Sequence, residues 1–288
     1  MGLGLYSKLC KGIGAFSWPA YGHPLLRPDV GREYGITMRD KIGLIRSMRR
    51  VCRSIPSATG WLEHLILVGG VLSIPRSMEG DVVECGCFKG SSTSSLSLAC
   101  ALTGRRLLVC DSFEGLPEVA EHDRVHVTEV HERYEVYAKG EYQGRLDEVK
   151  SNVSRYGNVN CCEFFPGYFD KSLPGLKGRF AMVFLDVDLT ESLKSCLTNL
   201  WPQMEQGAPL YTHEACQLKY VSLFFDDGWW RENVQEQAPG LIGAGCGLPT
   251  GLAQGSGIGY TRKLGSDPTA SVQAEFTQFC GDPTLSKR

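Results

Sequence analysis

The residues best able to do chemistry gather in short stretches, the first being Glu84-Cys-Gly86-Cys-Phe-Lys-Gly90-Ser91-Ser92. An apolar run precedes it and a helical pattern follows. Gly86 therefore allows a tight turn open to a ligand, Gly90 opens the helix, and Ser91 or Ser92 is expected to cap the helix's exposed N–H groups. Asp111 ends the next apolar run, about twenty residues past Gly90, where a carboxylate can hold ribose hydroxyls. A dinucleotide fingerprint would read Gly-x-Gly-x-x-Gly, whereas the spacing here is Glu-x-Gly-x-x-x-Gly, with cysteine where the first glycine should stand. That argues against a nicotinamide cofactor. A sulfonium cofactor has no pyrophosphate to seat at the helix N-terminus, so a loop with fewer glycines and an acidic neighbour such as Glu84 suits its charge better.

Such a loop needs a parallel sheet to position it. Strands are predicted at Asp81–Glu84, Leu107–Cys110, Asn160–Phe165 and Ala181–Leu185, with helices between them. Leu96, Ala99, Cys100 and Thr103 make one apolar stripe; Leu146, Val149 and Val153 make a second, and Leu193, Cys196, Leu197 and Leu200 a third. The alternation implies a doubly wound, mostly parallel α/β sheet with helices on both faces, whose ligand crevice lies at the carboxyl ends of the strands. Residues 1–80, with prolines between short helical patterns, read as a helical cap or lid, and 81–288 as the binding domain.

Bulk properties narrow the function classes. The 288 residues can bury a full core, and the formal charge is −2. The densest basic cluster, Arg46, Arg49, Arg50 and Arg53, reads as the solvated face of a helix, so no nucleic-acid partner is expected. Twelve cysteines lie mostly singly in apolar runs. Only Cys85/Cys87 and Cys161/Cys162 are close, and no Cys-x-x-Cys occurs, which predicts reduced core thiols, no structural zinc and a cytoplasmic location. Met1-Gly-Leu-Gly-Leu-Tyr6-Ser7 misses the myristoylation pattern because Tyr6 stands where Ser or Thr is required. No apolar run is long enough to span a bilayer, so no membrane partner is expected.

Four ordered motifs carry a resemblance: Gly80-Asp-Val-Val-Glu-Cys-Gly-Cys-Phe88-Lys-Gly90, Asp111-Ser-Phe-Glu-Gly-Leu-Pro117, Phe165-Pro-Gly-Tyr-Phe-Asp-Lys-Ser-Leu-Pro174 and Phe184-Leu-Asp-Val-Asp-Leu-Thr-Glu-Ser192. Together they resemble the macrocin O-methyltransferase family. The resemblance implies a class I methyltransferase fold that uses S-adenosylmethionine to methylate a hydroxyl of a sugar or other secondary metabolite. It places Glu84, Gly86, Phe88, Gly90, Ser91 and Ser92 in the cofactor loop, Asp111 on the ribose with Ser112 and Phe113 beside it, and Gly167, Tyr168 and Phe169 around the adenine.

Asp186 ends the fourth strand, where a carboxylate can face both the sulfonium and an incoming nucleophile; Asp188 follows two residues on. Transfer to an alcohol needs the acceptor oxygen in line with the S–CH₃ bond and its proton removed by a base or acidified by a metal. In the family, the aspartate equivalent to Asp186 and an Asp-Asp pair after the next strand bind magnesium. Here His213-Glu214 replaces that pair. Three uses are open: a divalent metal such as magnesium or manganese on Asp186, His213 and Glu214; metal-free catalysis with His213 as general base; or a structural role. Pro209 in the same strand suggests an edge or a bulge.

Other candidates are weaker. His64 sits in an apolar helical stretch as a core residue, and His122, His126 and His131 fall in a charged segment read as solvated. The run Phe224-Phe-Asp226-Asp227-Gly-Trp229-Trp230 reads as packing or a homodimer contact, and the glycine-rich 240–259 segment as a loop near the mouth of the site. The competing functional readings are a NAD-dependent oxidoreductase on the same architecture, which the absence of a Tyr-x-x-x-Lys pair near the fourth strand also disfavours, and a non-catalytic S-adenosylmethionine binder.

Overall fold

The computed structural model describes residues 23–128, 133–250 and 255–264; Met1–Ser7 and His131 lie outside them. β1 (Asp81–Cys85) is the hub of a six-stranded sheet because its short apolar run is covered on both faces. β1 pairs in parallel with β2 (Leu107–Asp111) on one side and with β6 (Phe180–Leu185) on the other. β5 (Cys162–Pro166) extends the β2 side, β7 (Pro209–Thr212) the β6 side, and the antiparallel β8 (Gly259–Arg262) closes the far edge. The order is β5-β2-β1-β6-β7-β8. The chain winds outward from β1 and then returns to its other side, so the topological switch point lies between β1 and β6.

The four predicted strands are present with small shifts. The largest is in β5, where Val159–Cys161 forms a 3-10 turn and pairing starts at Cys162. β7 is an interior strand and not an edge. Pro209 is tolerated because it is the first strand residue and faces Arg262 before pairing with β6 begins at Leu210. A hairpin, β3 (Val125–Thr128) with β4 (Arg133–Val136), occupies the charged segment after β2.

Strand alternation sorts side chains into two cores. Val82, Leu107, Val109, Met182 and Phe184 meet the helices α2 (Met38–Ser54), α3 (Trp61–Leu72) and α4 (Ser91–Thr103). Val83, Cys85, Leu108, Cys110, Val183 and Leu185 meet α7 (Thr190–Leu200) and the short α6 (Phe169–Ser172), whereas α5 (Leu146–Tyr156) sends Val149 and Val153 into the first core. The short helix α1 (His23–Leu26) precedes all of these, and Leu25 joins the first core. The residues expected as a cap thus share a core with the sheet. α2 starts on a Thr37/Asp40 capping box and turns Arg46, Arg49, Arg50 and Arg53 to solvent.

Part of the aromatic run is packing: Phe224 is buried and Trp230 is fully buried edge-on to Trp201, ring centroids 4.9 Å apart, whereas Phe225 is exposed. Asp226 caps the helix that follows, and Asp227 pairs with Arg231 at the surface. The cysteines within the described residues are all free thiols, and no described helix is long and apolar enough to cross a membrane.

His64 is a core residue, its ring nitrogens 2.8 Å from Ser95 Oγ and 3.0 Å from Thr59 Oγ1. Burial pushes its pKa down to about 4. The unfolded chain, with a histidine near 6.5, takes up the proton first, so this contribution is complete above pH 6.5 and is lost as pH falls toward 4. Between pH 7.5 and 5 the wild type should lose about 2 kcal/mol more than His64→Asn in urea unfolding. Parallel pH dependences would show that His64 is not held neutral.

Candidate active site

The carboxyl end of the sheet carries the loop residues directly. Gly86 N donates to Cys110 O (3.0 Å), Asp186 N to Cys85 O (2.9 Å) and His213 N to Leu185 O (2.8 Å). Each continues the parallel ladder one step beyond its strand, so Gly86, Asp186 and His213 follow in order across β1, β6 and β7. Gly86 has φ +83°, and a Cβ there would lie 1.8 Å from the carbonyl oxygen of Asp186. Only glycine lets the two turns come this close.

A cavity of about 640 Å³ opens above this row. Of the expected residues, Gly86, Phe88, Ser92, Asp111, Ser112, Tyr168, Phe169, Asp186 and His213 line it. Glu84, Gly90, Ser91, Phe113, Gly167 and Glu214 stand behind or beside that lining. The serines do not cap α4: Gly90 is the N-cap, at φ +83°, and no side chain closes the first turn. Ser91 and Ser92 are already helical, so their hydroxyls are set back from the N-cap position.

Asp111 is held from two sides, Oδ2 accepting from Cys87 N and Oδ1 from Phe113 N, both at 2.7 Å. Burial raises its pKa despite these bonds. Glu84 is fully buried with neither carboxylate oxygen hydrogen-bonded, although Ser92 and Thr93 are its polar neighbours. Burial pushes it up to about 8. Tyr168 and Phe169 stand on the opposite wall at the start of α6.

At the other end, His213 lies between two carboxylates, Nδ1 3.2 Å from Asp186 and Nε2 3.3 Å from Glu63. Burial opposes a charge on the ring, but the two carboxylates outweigh it and raise the His213 pKa well above the ordinary value. The raised pKa favours the protonated ring over the free base that one of the three open uses would need. Burial works against ionised Glu63 too, yet His213 and the N–H groups of Gly60 and Gly257 bring it down to about 2.

Asp188 and Glu214 lie beside this row. Asp188 has φ +60° and accepts from Tyr137 Oη at 3.1 Å; burial, then Glu214 and Asp186, raises its pKa well above the carboxylate range. Glu214 accepts from Val187 N, Asp188 N and Gln217 Nε2, and burial pushes it up to about 7. Among the described residues, ligand atoms of Asp186, Asp188 and Glu214 lie within 4.8 Å of one another, and His213 is not in that set. His213 faces Asp186 and Glu63, so of the residues considered for a metal it is Asp186 and Glu214, joined by Asp188 and not by His213, whose ligand atoms converge. N–H and O–H donors reach Glu214 and Asp188, yet each of these carboxylates keeps a lone pair.

Sequence reasoning missed Glu63, Gly257 and Tyr137. Gly257 carried a signal, since it lies in the glycine-rich stretch; the other two carried none. Residues 251–254 of that stretch lie outside the described residues.

A doubly wound sheet with its cavity at the switch point defines a class I methyltransferase-like fold. It is shared with the solved structure of the O-methyltransferase NovP: TM-score 0.53, 21% identity, covering 72% of this chain and 81% of that one. Residues 72–233, more than half of the chain, match the Macrocin-O-methyltransferase (TylF) family, and the chain belongs to it. Two of the similar relatives are described by their activities. The 8-demethyl-8-(2,3-dimethoxy-alpha-L-rhamnosyl)-tetracenomycin-C 4'-O-methyltransferase of Streptomyces olivaceus is 37% identical over 149 residues, 48% of this chain and 55% of the relative. The demethyldecarbamoylnovobiocin O-methyltransferase of Streptomyces niveus is 32% identical over 143 residues, 46% of this chain and 52% of the relative. The chain spans about half the length of these curated relatives.

Gly86→Ala should destabilise the fold by roughly 2–4 kcal/mol, summing the left-handed backbone cost and the overlap with Asp186. An unchanged urea midpoint would mean that the two turns are not in contact.

Proposed function

We propose that this chain is an S-adenosylmethionine-dependent O-methyltransferase acting on a hydroxyl of a small molecule, a sugar or another secondary metabolite, in the cytoplasm. The observation that carries the reading is the single cavity wall running from the Asp111 carboxylate to the Asp186–His213 pair. Family membership and the relatives' O-methyltransferase activities, one of them on a rhamnosyl-tetracenomycin, support it.

The residues fit the cofactor. Gly86 leaves room for a ligand's approach, Asp111 has lone pairs remaining for ribose hydroxyls, Tyr168 and Phe169 offer faces to a flat base, and the orphaned Glu84 carboxyl lies under the loop. When bound, the cofactor supplies an electrophilic methyl on a sulfonium. The rest falls to the protein. Asp186, partly exposed at the cavity floor, accepts the acceptor's hydroxyl proton. His213 donates to Asp186, fixing the carboxylate's direction and placing a positive charge beside the oxygen that becomes the nucleophile. Tyr137 closes one side of the cavity over Asp188. No step of the proposal is routed through a divalent cation, although Asp186, Asp188 and Glu214 are the residues that would hold one.

Calorimetric titration of S-adenosylhomocysteine should give a Kd on the order of micromolar, weakened about tenfold or more in Asp111→Asn. The absence of both binding heat and thermal stabilisation in the wild type would sink the reading, and binding of a nicotinamide dinucleotide in its place would favour the oxidoreductase.

A further inference from the structure

Two adjacent cysteines, Cys161 and Cys162, take no part in the cavity. In an extended strand neighbouring side chains point to opposite faces, so a Cys-Cys pair inside a strand holds its thiols apart. Here the pair straddles a junction, Cys161 ending the 3-10 turn Val159–Cys161 and Cys162 beginning β5. The turn brings both thiols to one acceptor. Cys161 Sγ lies 3.2 Å and Cys162 Sγ 3.4 Å from the carbonyl oxygen of Asn158, and the two thiols also hydrogen-bond each other. Asn158 is itself held, its N–H donating to Ser97 Oγ at 2.9 Å and its Oδ1 accepting from Asn160 N at 3.1 Å. Cys161 Sγ further donates to Ser97 O on α4 at 3.3 Å.

Both thiols are only half-buried, whereas Cys85, Cys87, Cys100, Cys110, Cys196 and Cys216 are buried. Cys52 and Cys246, also not buried, contact the His64 ring and the Gly247 carbonyl. The hydrogen bond with Cys162 holds the Cys161 thiol below its ordinary pKa, and the same bond raises that of Cys162. A thiolate, the form that binds soft ions, is thus favoured beside a thiol. A direct disulfide fits poorly, because adjacent α-carbons lie about 3.8 Å apart and an unstrained bridge spans roughly 4.4–6.8 Å. An atom inserted between the sulfurs enlarges the ring and relieves that strain. We propose that Cys161 and Cys162 form a dithiol site, apart from the methyltransferase cavity, that chelates a soft thiophilic ion of low coordination number, of the chemical class of trivalent arsenic. With two protein ligands it is an open chelate, unlike the closed four-ligand set of a structural zinc. It stands at the amino end of β5, while Tyr168 and Phe169 follow the carboxyl end, so it does not depend on the methyltransferase reading.

Phenylarsine oxide is the probe. On capture, two S–H bonds give way to two As–S bonds, the arsenic stays trivalent, and its oxygen leaves with both protons as water. The full, reduced chain is titrated with the probe and followed by intact mass. One phenylarsenic group per chain is expected at equimolar probe, released by dithiothreitol and retained against mercaptoethanol. In Cys161→Ser and in Cys162→Ser, each taken alone, the apparent affinity should fall about a hundredfold or more, because the second As–S bond forms within the molecule. No uptake by the wild type, release by the monothiol, or undiminished uptake in either variant overturns the proposal. If the variants do not fold, the wild type decides. Bound arsenic should then shield Cys161 and Cys162 together from N-ethylmaleimide on the peptide that carries them, and shielding of any other cysteines in their place overturns it.

Discussion

The backbone turns after β1 and β6 touch at Gly86 and Asp186, where a single added carbon would overlap a carbonyl oxygen. Much of the site descends from that contact. Two parallel strands diverge at a switch point because their connections leave to opposite faces, and the crevice between them is a ligand site only if the turns do not fill it. A left-handed glycine on one side lets the other turn carry its carboxylate to the rim without lengthening either strand. Backbone bonds from Cys110, Cys85 and Leu185 then set Gly86, Asp186 and His213 in sequence along the edge. The chemistry is carried on extensions of the sheet and not on free loops, which fixes its geometry more tightly.

This rim crowds like charges. Asp186, Asp188, Glu214 and Glu63 all lie near one imidazole, and a cluster of ionised carboxylates in a poorly solvated site is costly unless each is paired or protonated. The structure uses three remedies. Backbone N–H groups of Val187 and Asp188 and the Gln217 amide bond Glu214; the raised pKa values of Asp188 and Glu214 favour a proton in that pair; and the His213 ring faces Asp186 and Glu63 together. A ring between two carboxylates, as opposed to beside one, has no neutral form that satisfies both.

Much of this was legible in the sequence, and the boundary has a physical cause. Apolar runs bounded by glycine or charge marked β1, β2 and β6, because strands buried on both faces leave a continuous hydrophobic signal. Asp111 and Asp186 were found because strand ends predict position as well as type. β5 began later than expected, since nothing local separates the 3-10 turn at Val159–Cys161 from the strand it leads into. His213 lines the cavity as the sequence suggested, but three uses stayed open there, and the carboxylate that bears on them, Glu63, lies on a helix far away in sequence. Nothing in Trp61-Leu-Glu-His-Leu singles out Glu63 from an ordinary first-turn glutamate.

That first-turn position explains how the glutamate can serve two purposes. A carboxylate three residues past the N-cap normally reaches back to the N-cap amide, and Glu63 Oε2 does so at Gly60. A carboxylate has two oxygens, and in α3 the second lies within reach of the sheet's edge because the helix is packed into the same core as β6 and β7. Capping thus holds the side chain in one rotamer, and the remaining oxygen meets the Gly257 amide and the His213 ring already immobilised. The entropy of fixing a long acidic side chain is spent once for both contacts. The amino-terminal helices are consequently part of the electrostatics of the site: any displacement of the start of α3 would move a charge at its floor, whether or not those helices also cover its mouth.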